Sequence, residues 1–231
     1  MKSRRQQSSK PSLRLAKRQS ARSYVSWSQR ARRLQFGTRD QREPFSPPEN
    51  WHEPNLDGRD YRIIVQPPGE GYRHVVTPQQ IHSRLEAVPA CFLQDLEYVQ
   101  LSQMTRKKQS FPCYGMQWGA TLYLYPLEES LEEIFYRPPR PDVINEAKMF
   151  GGRWDRPQPG VWRLTWSPAA IEDFYLNNIL IHELGHLVDD RNTTYTDRER
   201  YAEWFAIRYG YQASGGRRAR CPVVKKRHHK K

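Results

Sequence analysis

The stretch Ile179-Leu180-Ile181-His182-Glu183-Leu184-Gly185-His186-Leu187-Val188-Asp189-Asp190 decides how the rest of this 231-residue chain is read. Leu180, Leu184, Leu187 and Val188 recur at helical spacing, so the stretch is expected to form a helix with a buried apolar stripe. His182 and His186 stand four apart, which stacks them on one face and lets both imidazoles reach one ion. Glu183 is turned about 100° from His182 by the helical repeat. It therefore flanks the ion instead of ligating it, where a base must stand to take a proton from water. By average composition, His-Glu-x-x-His arises by chance in roughly one chain in a hundred of this length. The alternative is a buried histidine pair with Glu183 solvated, so the pattern needs a third ligand to carry weight.

No histidine stands at position 192, which holds Asn192, and the later ones are His228 and His229 in a basic tail. The ligand must then be acidic, from Asp189, Asp190, Asp197, Glu199 or Glu203. Asp190 shares the histidine face but lies roughly 12 Å along the axis from His182, too far to share one tetrahedral ion. Asp189 points off that face, and Asp197 opens the next helix, for which Thr196 is the expected cap. Glu199 and Glu203 are better placed, on a helix returning after a short turn at 191–196. They are a like-charge pair four apart, which a free helix disfavours and a divalent cation resolves. One would ligate while the other accepts a hydrogen bond from a ligand imidazole N–H. The competing account of Glu199 is a capping box with Thr196, which leaves Glu203 unexplained. Ala202 and Ala206 would let the two helices approach closely near Gly185.

His182-Glu183-Leu184-Gly185-His186, followed by Glu199-Arg200-Tyr201-Ala202-Glu203-Trp204-Phe205-Ala206, resembles the gluzincin zinc metallopeptidases. It is most similar to their compact members: the lethal-factor and Pro-Pro endopeptidase catalytic domains, the ImmA/IrrE type and the minigluzincins. The matched segment covers residues 179–206. The resemblance implies a Zn²⁺ cofactor, Glu199 as third ligand, Glu203 as the acid behind the ligands, and a protein or peptide substrate. It implies Glu183 as the general base acting on a metal-activated water. Such enzymes often place a Tyr or His near the second helix to stabilise the oxyanion, and Tyr195 is the nearest candidate, at a spacing that does not match well. The interval from His186 to Glu199 is also short for building a substrate pocket. Zincins take substrate as an added strand on a sheet edge, which nominates 120–125 or 161–166; both could equally be interior strands.

Outward from this segment the expected fold class is α+β and zincin-like, a small mixed or antiparallel sheet packed on the histidine helix. Thr77-Pro78-Gln79-Gln80 opens a helix with a capping box and Pro at its first position. Strands are expected at 62–65, 98–101, 120–125 and 161–166, and a short helical piece around 91–96. Asp142 is expected to cap a short helix that stops at Gly151-Gly152. Ser167-Pro168 opens a long helix through Asp190, and the last helix runs to about Tyr211.

The formal net charge is +13, and its distribution matters more than its sum. Residues 1–42 hold 13 Lys/Arg against Asp40 alone, and 216–231 hold eight Lys/Arg and no acid. Residues 43–215 hold 17 basic and 24 acidic residues. The expected organisation is a metallopeptidase domain over 43–215 between two disordered basic tails. The tails could bind nucleic acid, with Tyr24 and Trp27 able to stack on bases. The competing function is accordingly a nucleic-acid-associated, non-catalytic protein with a structural or degenerate zinc site. Cys221 with His228 and His229 is a weak metal pattern. Three cysteines without CxxC spacing fit free thiols in a reducing cytoplasm. The N-terminus lacks the apolar stretch of a secretory signal, although its Arg- and Ser-rich composition also reads as an organelle presequence. No stretch approaches the roughly 18 apolar residues of a membrane span.

Overall fold

The computed structural model describes residues 49–55, 61–110 and 113–216, and the basic segments 1–42 and 217–231 lie outside the described residues. The fold is α+β. Strands β1 (Arg62–Val65), β3 (Tyr98–Leu101), β5 (Thr121–Leu124) and β4 (Gly115–Trp118) form one sheet in that order. The first three are parallel, and β4 runs antiparallel to β5 at the edge. A second sheet is the antiparallel ladder β7 (Glu132–Phe135), β9 (Val161–Thr165) and β8 (Arg153–Gln158). A two-residue ladder joins β2 (Tyr72–Arg73) to β6 (Leu127–Glu128).

The helices are α1 (Pro78–Glu86), α2 (Arg106–Ser110), α3 (Pro141–Met149), α4 (Pro168–Phe174), α5 (Leu180–Val188) and α6 (Tyr195–Phe205). A 3₁₀ turn spans Ala90–Leu93, and π-helical segments at Tyr175–Ile179 and Ala206–Gln212 precede α5 and follow α6. Among the described residues no helix is long and apolar enough to cross a membrane.

Alternation along β3 and β5 organises the interior. Val99, Leu101, Leu122 and Leu124 enter one buried cluster with Ile81, Leu85, Ile179, Leu180, Ile181, Leu184 and Phe205. The intervening Tyr98, Gln100 and Tyr123 face the other side of the sheet, which residues 49–55 cover as a strap. The Tyr98 hydroxyl donates to the Glu53 carbonyl (2.8 Å), His52 pairs with Gln100 (2.9 Å), and Tyr125 donates to Glu49 (2.7 Å). Both strands are thus buried on both faces. The strap gives the buried tyrosine hydroxyls the acceptors that burial requires.

The Thr77 capping box and Pro78 stand as the sequence implies. Three helix boundaries differ. Arg140, not Asp142, precedes α3, because Pro141 takes the first helical position; Asp142 sits in the first turn, paired with Arg140. The long helix opens at Ser167 but ends at Val188, where Asp189 turns out of helical geometry (φ −80, ψ 93). Thr194, not Thr196, caps α6 and accepts the Asp197 N–H (3.2 Å). Neither strand nominated as a free edge is one: β5 lies between β3 and β4, and β9 between β7 and β8. Their neighbours, Gly115-Met116-Gln117-Trp118, Glu132-Glu133-Ile134-Phe135 and Arg153–Gln158, are too polar or too short of β-branched residues to announce themselves.

Candidate metal centre

Helix α5 is a mount with almost no solvent face: Leu180, Ile181, His182, Glu183, Leu184 and Gly185 are all buried. Helix α6 reverses against it through a short turn built on Asp189. That buried carboxylate accepts the Asn192 N–H (3.2 Å) and the Asn192 side-chain amide (2.9 Å). Arg198 then reaches back from α6 to the His186 carbonyl (3.0 Å) at the C-terminal end of α5. Close packing is set by glycine. A Cβ on Gly185 would sit 3.0 Å from both the Ala202 Cα and the Phe205 Cβ, and one on Gly210 only 2.0 Å from the Asn177 carbonyl oxygen. Ala202 is buried against Gly185 at the helix contact, and Ala206 is buried at the start of the π-helical segment that follows α6.

This packing brings His182, His186 and Glu199 together. The two Nε2 atoms are 3.1 Å apart, His182 Nε2 lies 3.7 Å from Glu199 Oε2, and His186 Nε2 lies 3.4 Å from Glu199 Oε1. Four ligands at zinc-like bond lengths of about 2.0–2.1 Å in a tetrahedron are separated by roughly 3.3–3.4 Å. The observed separations bracket that value, so these three residues can hold a metal ion. Two buried carboxylate oxygens, Glu199 Oε2 and Glu183 Oε1, have no hydrogen-bond partner. The orphaned oxygen of Glu199, whose carboxylate is held in its charged form, is what a cation would satisfy.

The electrostatics agree. Burial, then the neighbouring His186, pushes the His182 imidazolium down to about 3, so its ring is held neutral. Burial disfavours a charged His186 as well, but the hydrogen bond and charge of Glu199 and the charge of Glu183 outweigh it and raise its pKa. Glu199 is held below the usual carboxylate range: burial opposes its charge, and the hydrogen bond with His186, the two imidazoles and the Tyr195 hydroxyl overcome that cost. Burial lifts Glu183 to about 8, with His186 and the Gln117 N–H opposing.

The remaining expected residues divide. Tyr195 joins the cluster through a hydrogen bond to Glu199, and burial together with that carboxylate raises its hydroxyl pKa. Glu203 is exposed one turn further along α6. Among the described residues it faces Glu199 and Asp142 as like charges and Arg140 and Arg200 as opposite ones, without a hydrogen bond to either imidazole. Glu183 is buried, not solvated, and the capping box proposed for Glu199 is absent because Thr194 and Asp197 form the cap.

Sequence reasoning missed Gly115 and Gln117 on β4, which lie against Glu183. The available signal was the two-residue connection Gly119-Ala120 before a β-branched and aromatic run, with Gly119 at φ +58. Scans against protein-family models, curated proteins and solved structures return no significant match to this chain.

Proposed function

We propose that this chain is a zinc-dependent peptidase of gluzincin type, with His182, His186 and Glu199 as ligands and Glu183 as general base. The observation that carries the reading is the placement of a buried, partner-poor Glu183 between that three-ligand cluster and the outer strand β4. A structural zinc site is usually closed by four protein ligands; among the described residues this group offers three, which favours a catalytic site. Bound zinc would supply a Lewis acid that polarises a peptide carbonyl and acidifies a water.

The chain's own residues do the rest. Glu183 takes the proton of the attacking water and passes it to the leaving amine nitrogen as the C–N bond breaks. His182, neutral through burial, needs no loss of imidazolium charge before it ligates. Tyr195, donating to Glu199, fixes the orientation of the third ligand. The edge of β4, outermost of its sheet among the described residues, would receive the peptide as an added strand, in place of the two strands nominated from sequence.

The full-length protein, purified with zinc and assayed on an unstructured protein such as casein, tests this reading. Glu183→Gln should keep its zinc and lose about 10³-fold in rate, whereas Glu199→Ala should lose the zinc itself. A wild-type protein that binds no zinc, or a zinc-loaded Glu183→Gln variant that cleaves at the wild-type rate, overturns it.

A further inference from the structure

Helix α6 and the π-helical segment after it bury one side and leave the other open to solvent. Glu199, Ala202, Phe205, Ala206 and Gly210 are buried, whereas Arg200, Trp204 and Arg208 are exposed. These three stand four apart, so they form a stripe along the side away from α5. Trp204 is 51% exposed, although tryptophan is among the side chains most buried on average. Tyr201 lies beside it, with ring centroids 5.5 Å apart, and the Arg191 guanidinium lies 5.2 Å over the Tyr201 ring. Rings and cations thus alternate along the stripe. Arg200 has Asp197 at 3.6 Å, both well exposed, and Arg208 reaches Gln212 only at 3.5 Å. Such long surface contacts leave both guanidinium groups able to meet another anion. Glu203, the other exposed acid of the helix, faces Glu199 and Asp142 as well as Arg140 and Arg200.

The chain outside the described residues adds charge at the same place. The helical segment ends at Gly215 and Gly216, both in the left-handed region (φ +97 and +55). Residues 217–231 then bring eight Lys/Arg and no acid. That length spans up to about 50 Å, against roughly 24 Å of helix between Gly216 and Arg200, so its cations reach every point of the stripe. Trp204 and Ile207 are the large apolar side chains exposed there, far less than the roughly 800 Å² per partner of a stable dimer. A flexible polyanion with flat apolar faces matches both the rings and the cations. We propose that the outer face of α6 is a stacking site for single-stranded nucleic acid. One base lies on Trp204, phosphates meet Arg200 and Arg208, and the segment 217–231 supplies further counter-charge. Recognition uses base faces and phosphates, so ribose and deoxyribose serve alike. The site does not depend on the metal centre, because Glu199 lies on the buried side of the same helix.

The test is fluorescence anisotropy of the full-length protein with labelled dT12, rU12 and a 12-base-pair duplex. The two single strands should bind wild type within about threefold of each other. Trp204→Ala should weaken both about tenfold, the worth of one stacked base, and leave duplex binding unchanged. Trp204→Phe, which keeps a ring, should stay within about threefold of wild type. Trp51→Ala, which removes another exposed tryptophan, on the strap beside Trp118, should change nothing. Arg200→Gln combined with Arg208→Gln should lower the salt slope of the single-strand affinity by about 1.4, two phosphates at roughly 0.7 each. Wild type that binds no single strand, or Trp204→Ala that binds as wild type does, overturns the proposal. So does an equal loss in Trp51→Ala or on the duplex. A dimer in sedimentation that Trp204→Ala dissociates, with nucleic-acid binding unaltered, would assign the face to a second copy of the chain instead.

Discussion

Helices α5 and α6 supply the same cluster from opposite physical circumstances. In α5 six of nine residues are buried, so the helix that carries the site residues is held by its burial. In α6 only Glu199, Ala202 and Phe205 are buried, and Trp204 is 51% exposed. Helix α6 is placed by a cap, a turn and two glycine contacts, not by a core of its own. A metal site can therefore combine one helix fixed mainly by burial with a second fixed by a cap, a turn and close backbone approach.

The largest contrast should come from deleting apolar bulk on each helix. Leu184→Ala, at a fully buried position, should cost about 3 kcal/mol in urea unfolding. Trp204→Ala should change stability by less than about 0.5 kcal/mol. Equal effects would mean that α6 is as deeply integrated as α5.

A second test sharpens the contrast through pH. His182 is depressed from 6.5 to about 3, so the unfolded chain binds its proton more readily and stability falls as pH drops from 6.5 toward 3. Burial raises Glu183 from 4.5 to about 8, so here the folded chain holds the proton longer and stability falls as pH rises through that window. Glu146, buried against Asn178 on the π-helical lead-in to α5, acts in the same direction between 4.5 and about 7. The metal-free protein should thus melt highest near pH 4.5, because below it the His182 contribution is lost and above it Glu183 and Glu146 together outweigh His182. Glu183→Gln should flatten the decline between pH 7 and 8. An undiminished decline in that variant would assign it to other groups.

The smallest effect concerns the start of α6. Thr194→Ala should cost about 1 kcal/mol through the lost cap, and Thr196→Ala close to nothing. The reverse order in thermal unfolding would restore the cap expected from sequence.

That cap shows where the sequence was legible and where it was not. Thr194-x-x-Asp197 and Thr196-x-x-Glu199 are equally good local patterns, and only the demand for Glu199 at the histidines separates them. His182, Glu183 and His186 could be read at once, because helical spacing alone places them. So could the Thr77 capping box, whose Thr, Pro and Gln each have one local role. Gly115 and Gln117 could not be read as site residues. They act through backbone on an outer strand that lacks β-branched residues, and nothing in their side chains announces a base lying beneath them. The π-helical segments were equally hidden, since their register follows from the close approach of Gly210 to Asn177 and from Arg84, which bonds Asn177 and the Tyr209 carbonyl.

The Asp189 turn has a thermodynamic consequence for any ion that enters. A metal bridging residues 182 and 199 would ordinarily have to close a loop of 17 residues against its chain entropy, a cost that grows with the logarithm of loop length. Here the carboxylate of Asp189, the Thr194 cap and the Arg198 tether have already closed it. The ion meets ligands whose freedom was spent in folding, so coordination energy goes into affinity and not into ordering the chain.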